Sequence, residues 1–260
     1  MDAGLKREAL RLAMPWLVMA VLLIIWEICC VALDVPEIIL PRPTKVFVVF
    51  YNRFDILMSF CWDTLWTTLM GFLLAIAGGL LLGVAVGASA FVYSGLYPLL
   101  IAFNAVPKVA LVPILMIWVG VGALPAVITA FVISFFPIVV NVATGLATIE
   151  PELEDVLKAL GASKLDVMRK VGIPRTLPCF FGSLKIAITL AFVGSVISES
   201  IASNYGIGNL MLQAQAQFQV PLIFAGLVAL AVEGIVMYWL MAILEARMTG
   251  WAQRSGFAQT

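Results

Sequence analysis

Runs of about twenty consecutive apolar residues recur along this chain, and they constrain its fold more than any other feature. The first, from Met14 to Leu33, carries Glu27 as its one charge. Lipid offers no partner to backbone N–H and C=O groups, so a segment crossing ~30 Å of hydrocarbon must satisfy them internally, which a helix of ~20 residues does. Comparable runs at 65–88, 96–119, 125–147, 178–197 and 221–244 predict six spans in all. Composition agrees: 63% of residues are hydrophobic and 12% charged, where a water-soluble domain has about half and a quarter. The expected fold is all-α and polytopic, one transmembrane domain over residues 1–260.

The stretch between the first two spans, with Asp34, Pro36 and Pro41-Arg42-Pro43, reads as non-spanning. Asn104, Pro107-Lys108 and Pro113 interrupt the third span and Pro137 the fourth, so both are expected to be kinked or partly unwound. Although Lys6, Arg7 and Arg11 precede the first run, no Ala-x-Ala site follows, so the run is expected to stay as a span with residues 1–13 cytoplasmic. Charge placement orients the rest. With the N-terminus inside, ten basic residues (Lys6, Arg7, Arg11, Lys158, Lys164, Arg169, Lys170, Arg175, Arg247, Arg254) fall on the inner side and Arg42, Lys45 and Arg53 on the outer. That asymmetry follows the positive-inside rule and predicts that both termini are cytoplasmic.

The sequence has no histidine, and its four cysteines (Cys29, Cys30, Cys61, Cys179) form no CxxC pair. They read as packing residues, and neither a metal site nor a His-dependent intramembrane protease is expected. Balanced charge, fifteen basic and fifteen acidic residues, gives no nucleic-acid surface. The second span carries Gly71 and then Gly79-x-x-x-Gly83-x-x-x-Gly87, a small-residue face on which another helix can pack closely.

One long polar stretch separates the fourth and fifth spans, 148–177. Pro151 and the acids Glu150, Glu152, Glu154 and Asp155 suit a helix start, and Gly161 breaks that helix. Ser163 can cap a second short helix through Lys170, stopped by Gly172 and Pro174. Leu153, Val156, Leu157 and Leu160 recur at helical spacing, as do Leu165, Met168 and Val171. Periodicity alone leaves these as two amphipathic helices lying on a membrane surface.

The stretch resembles the loop of binding-protein-dependent ABC importer permeases, whose pattern is Glu-Ala-Ala, three residues, Gly, nine residues, then Ile-x-Leu-Pro. Here Asp155-Val156-Leu157 opens it, retaining only the acid, and nine residues after Gly161 come Val171-Gly172-Ile173-Pro174. Segments Val106–Gly122 and Asn204–Phe218 look like the nitrate, sulfonate and taurine branch of that family. The resemblance implies a type I importer permease, homodimeric or pseudo-dimeric, embedded in membrane lipid. It further implies two cytoplasmic ATPase subunits holding ATP and Mg, and a periplasmic or lipid-anchored binding protein. It assigns ATPase coupling to Glu154, Asp155, Leu157, Ala159, Gly161, Ala162, Val171, Ile173 and Pro174. This chain has no GxxxxGK[ST] phosphate loop, so it is expected to be a transport subunit with no cofactor of its own. The implied cargo is a small anion, with a pyrimidine precursor or aromatic acid as the alternative. A secondary transporter is the rival of another class, but it has no need of the double-helix loop.

Charges inside a membrane cost ~3 kcal/mol on insertion scales, so each requires a reason. Asn104 and Lys108 in the broken third span are pathway candidates; Lys108 reads either as an anion contact or as a donor to freed carbonyls. Glu199 is expected at the outer mouth, as a gate or binding-protein contact. Glu27 and Glu233 read as wet-cavity or bundle-pairing groups, and Lys185 as a snorkelling side chain. Gln213, Gln215, Gln217 and Gln219 read as either an interfacial piece or a solvated loop.

Overall fold

The computed structural model describes residues 2–148, 156–157 and 159–256. Glu154 and Asp155, with Glu150 and Glu152, lie outside the described residues. The helices are α1 (Asp2–Ala32), α2 (Pro43–Asn52), α3 (Phe54–Gly87), α4 (Ala90–Ala105), α5 (Val112–Val119), α6 (Ala123–Ala147), α7 (Lys164–Val167), α8 (Ile173–Ala202), α9 (Gly206–Ala216) and α10 (Val220–Gly256). A 3-10 turn, Lys108–Leu111, precedes α5. Among the described residues five helices are long and apolar enough to cross a membrane, six if the bent pair 91–105 and 108–119 is one broken span.

That pair meets at 74°. Pro107 has no N–H to continue the ladder, so the chain turns there and restarts as a 3-10 turn. Several helices run beyond the apolar runs: α3 begins at Phe54 rather than Leu65, α8 at Ile173 rather than Pro178, and α10 continues to Gly256 rather than Leu244. Gly172 and Pro174 do not stop the short helix that follows Ser163. Instead Met168–Gly172 forms a π turn, with Ile173 N–H bonded to Met168 O, and α8 follows without a break. In an unbroken α-helix the Pro174 ring would press on the Lys170 carbonyl; the wide turn before it removes that conflict.

The chain divides into two units. Unit 1 holds residues 1–58 and 210–229. In it Glu27 caps α2, accepting from Thr44 N–H at 3.1 Å and the Thr44 hydroxyl at 2.9 Å. The N-terminus of α2 is the positive end of a helix dipole, which accounts for this carboxylate in the first span. Trp26 packs on Phe224 at 5.6 Å between ring centroids. The glutamine row begins inside helix α9, and Arg53, Gln213, Gln217 and Gln219 line a small polar pocket.

Unit 2 holds residues 59–209 and 230–260. Its core clusters Phe72, Ala75, Ile138, Leu184, Ala187 and Ile188, all buried. The glycine face of α3 is a packing seam: a Cβ at Gly71 would lie 2.5 Å from Ala130 Cβ, at Gly79 2.7 Å from Ile138, at Gly83 2.7 Å from Val142, and at Gly87 2.8 Å from the Ala143 carbonyl. Real Cβ atoms do not approach so closely, so α3 and α6 pack this way only because glycine stands at those positions.

Candidate functional site

The turn at 156–162 carries four of the coupling candidates, Leu157, Ala159, Gly161 and Ala162. Leu160 N–H donates to Val156 O at 3.1 Å and Ala162 N–H to Leu157 O at 3.0 Å. Gly161 between them has φ +83°. A six-to-one bond spanning a left-handed glycine is the Schellman closure of a helix end. A Cβ at Gly161 would meet nothing within 4 Å, so conformation alone requires glycine here. Val156 and Leu160 are 58% and 79% exposed, which leaves an apolar tip uncovered.

The next helix starts with a reciprocal cap. Asp166 N–H donates to Ser163 Oγ at 3.2 Å, and the Asp166 carboxylate accepts from Ser163 N–H at 3.1 Å and from its hydroxyl at 2.6 Å. These bonds hold the Asp166 carboxyl below its ordinary range, the hydroxyl contributing most. From Lys164 the helical path runs through the π turn to Ala202, roughly 55 Å at 1.5 Å per residue. Val171, Ile173 and Pro174 are thus placed inside a continuous rod, apart from the Leu157–Ala162 turn. Thr176 locks the rod to α6, since a Cβ at Gly145 would meet its Cγ2 at 2.8 Å.

Glu199 lies near the far end of that rod and is 1% exposed, so it is buried rather than open at a mouth. The Thr64 and Thr67 hydroxyls donate to it at 2.8 and 3.0 Å, Ser195 at 3.3 Å and Gly208 N–H at 3.3 Å. Ile207 N–H donates to Thr64 Oγ1 at 2.9 Å. The carboxylate therefore sits at the N-terminus of α9, where orphan N–H groups and the helix dipole favour negative charge. Gly206, φ +83°, leaves space that the Glu199 carboxyl fills and a Cβ would contest. Charge-assisted donors and a dipole explain how a buried carboxylate persists inside a membrane protein. Thr64-x-x-Thr67 at helical spacing was the available signal for these partners. Neither Glu233 oxygen has a hydrogen-bond partner among the described residues, and the Cys61 thiol is its polar neighbour.

The structure brings Asn104 and Lys108 together. Lys108 Nζ donates to Asn104 O at 3.0 Å and to Asn104 Oδ1 at 2.9 Å, and lies 4.9 Å from the Phe136 ring centroid. The ammonium thus satisfies a carbonyl freed by the break, one of its two expected roles, while staying partly exposed. Lys185 pairs with Glu245 of α10.

Residues 75–250 match the family model described as binding-protein-dependent transport system inner membrane component. The chain belongs to that family. Among its relatives is the formylaminopyrimidine transport permease protein ThiX of Halalkalibacterium halodurans, 30% identical over 92% of this chain and 96% of that one. The nitrate import permease protein NrtB of Leptolyngbya laminosa is 30% identical over 64% of this chain and 62% of its own. Among solved structures, the inward-facing MetNI methionine ABC transporter aligns with a TM-score of 0.65 at 20% identity, covering 76% of this chain and 98% of that one, which supports the fold. As a permease of this family the chain is a transport component and not an enzyme.

Proposed function

We propose that this chain forms half of the translocation pathway of an ATP-driven importer, paired with a second permease. The Leu157–Ala162 turn inserts its apolar tip into a cytoplasmic ATPase, and both termini face the cytoplasm. The observation that carries this reading is the joining of an exposed, Schellman-closed tip, Leu160 above all, to a helical rod that ends at the Glu199 cluster. Closure of an ATPase pair would displace the tip as a rigid body, and the rod would carry that displacement to the opposite surface. Val171, Ile173 and Pro174 lie in this scheme within the rod, at the π turn that lets it pass Pro174 without a break. A binding protein supplies the solute.

For the cargo, the NrtB likeness and the partly exposed Lys108 ammonium favour a small anion, of nitrate or sulfonate type. The broader match to ThiX favours a second reading, a pyrimidine precursor. Co-purification in mild detergent followed by mass spectrometry tests the assembly. The expected result is recovery of a P-loop ATPase that is lost when Leu160 is replaced by Glu; recovery of the same ATPase with Leu160→Glu would remove the tip from the interface. Scintillation binding of nitrate, taurine and formylaminopyrimidine to the co-purified binding protein separates the two cargo readings.

A further inference from the structure

Helices α8 and α10 leave a groove between them that the transport reading does not use. One part, of about 390 Å³, is lined by Ile188, Phe192, Leu230, Ala231 and Gly234. A second, of about 480 Å³, is lined by Gly182, Lys185, Ile186 and Leu190. Thr189 and Tyr238 belong to both, so the two parts form one continuous channel of a size that holds a small organic ligand. Its walls are apolar, and the Thr189 hydroxyl is already satisfied by the Lys185 carbonyl at 3.0 Å. Glycine matters at one point of the groove, where a Cβ at Gly234 would stand 3.0 Å from the Phe192 ring.

One end of the channel is charged. Lys185 Nζ meets Glu245 Oε2 at 2.5 Å, with the side chains 26% and 17% exposed. An ammonium has three donors and a carboxylate about four acceptor positions, so this contact occupies a fraction of each. From this pair the channel extends ~10 Å along α8 to Phe192 and ~22 Å along α10 to Leu230, against ~15 Å for half of a bilayer core. It is therefore about one leaflet deep. The pair itself lies ~26 Å along α8 from Ala202, which sets it near the membrane surface on the Gly161 side.

We propose that the channel seats one acyl chain of a zwitterionic phospholipid, its phosphate toward Lys185 and its ammonium toward Glu245. A neutral ion pair at headgroup depth complements a headgroup with both charges, whereas an anionic headgroup meets Glu245 unfavourably. The inference needs only that α8 and α10 span the membrane, so it stands or falls apart from the coupling reading.

The test is photo-crosslinking of the full chain in nanodiscs with phosphatidylethanolamine carrying a diazirine in one acyl chain. Label is expected in peptides covering 186–192 and 230–238. Ala231→Phe, at an exposed position lining the groove, is expected to cut that label on the order of tenfold while label elsewhere persists. Unlabelled phosphatidylethanolamine is expected to compete on the order of tenfold better than phosphatidylglycerol, a preference that Glu245→Gln abolishes. Label undiminished by Ala231→Phe, equal competition by both lipids in the wild type, or a cross-link from these peptides to a second copy of the chain would each overturn the assignment.

Discussion

Replacing Thr64 with valine removes one oxygen that has two duties in the Glu199 cluster. Its hydroxyl donates to Glu199 Oε2 at 2.8 Å and accepts from Ile207 N–H at 2.9 Å. Valine preserves the side-chain shape closely, so no cavity term enters. Loss of a hydrogen bond to a charged group costs about 1.5–3 kcal/mol, and orphaning the buried Ile207 N–H adds about 1–3 kcal/mol, so the variant should be less stable by roughly 2.5–6 kcal/mol. Thr67→Val removes a hydroxyl that lies 3.0 Å from Glu199 Oε1 and also meets Ser195 Oγ and the Thr64 carbonyl, with no backbone N–H depending on it. Its expected cost is accordingly the first term, about 1.5–3 kcal/mol. Equilibrium unfolding of both variants in one detergent gives the comparison, with wild-type CD spectra as the check on insertion. A Thr64→Val cost below about 1 kcal/mol, or one no larger than that of Thr67→Val, would refute the claim that Thr64 joins α3 to both Glu199 and the start of α9.

Gly83→Ala should destabilise by about 1–3 kcal/mol, because the new Cβ overpacks against Val142, whereas Gly95→Ala, open on all sides, should be neutral or stabilising; thermal unfolding in detergent measures both. Lys108→Ala should leave assembly intact and impair uptake of an anionic cargo, and unchanged uptake would confine Lys108 to satisfying the Asn104 carbonyl. Because the Asp166 pKa is lowered from 3.8, its capping contribution is complete above that value and is lost as pH falls through the lowered one. Hydrogen exchange at Asp166 and Val167, corrected for intrinsic rate, should show flat protection between about pH 5 and 8 and lose that protection at neutral pH in Asp166→Ala.

Apolar run length made the spanning helices legible, and Pro107 announced the 74° break because a residue without an N–H has only one effect there. The glycine row was equally readable, since small residues at helical spacing matter only through close approach. The continuity through Gly172 and Pro174 was not. A π turn has no composition of its own, and the same residues in an α-helical frame read as a stop. The burial of Glu199 is hidden for a different reason: its donors Thr64 and Thr67 lie far away in sequence, and Thr64 precedes Leu65, where the apolar run begins. Gly206 and Gly208 carry no local sign of this role, and only the fold shows the carboxylate seated over them. Gly161 needed no tertiary partner to be read, because its left-handed φ is a local property that the helix-glycine-cap order already signals.

The central claim is that the conformation of the Gly161 turn couples this permease to an ATPase. ATP-dependent uptake in proteoliposomes holding the full complex tests it most directly, with Gly161→Ala and Gly161→Asn measured beside the wild type. Alanine pays ~1–2 kcal/mol in the left-handed region while asparagine tolerates it, and neither meets a neighbour. Ala is expected to slow uptake and cargo-stimulated ATP hydrolysis several-fold, and Asn to restore most of both. Equal activity of all three, or uptake that persists without ATP, would contradict it.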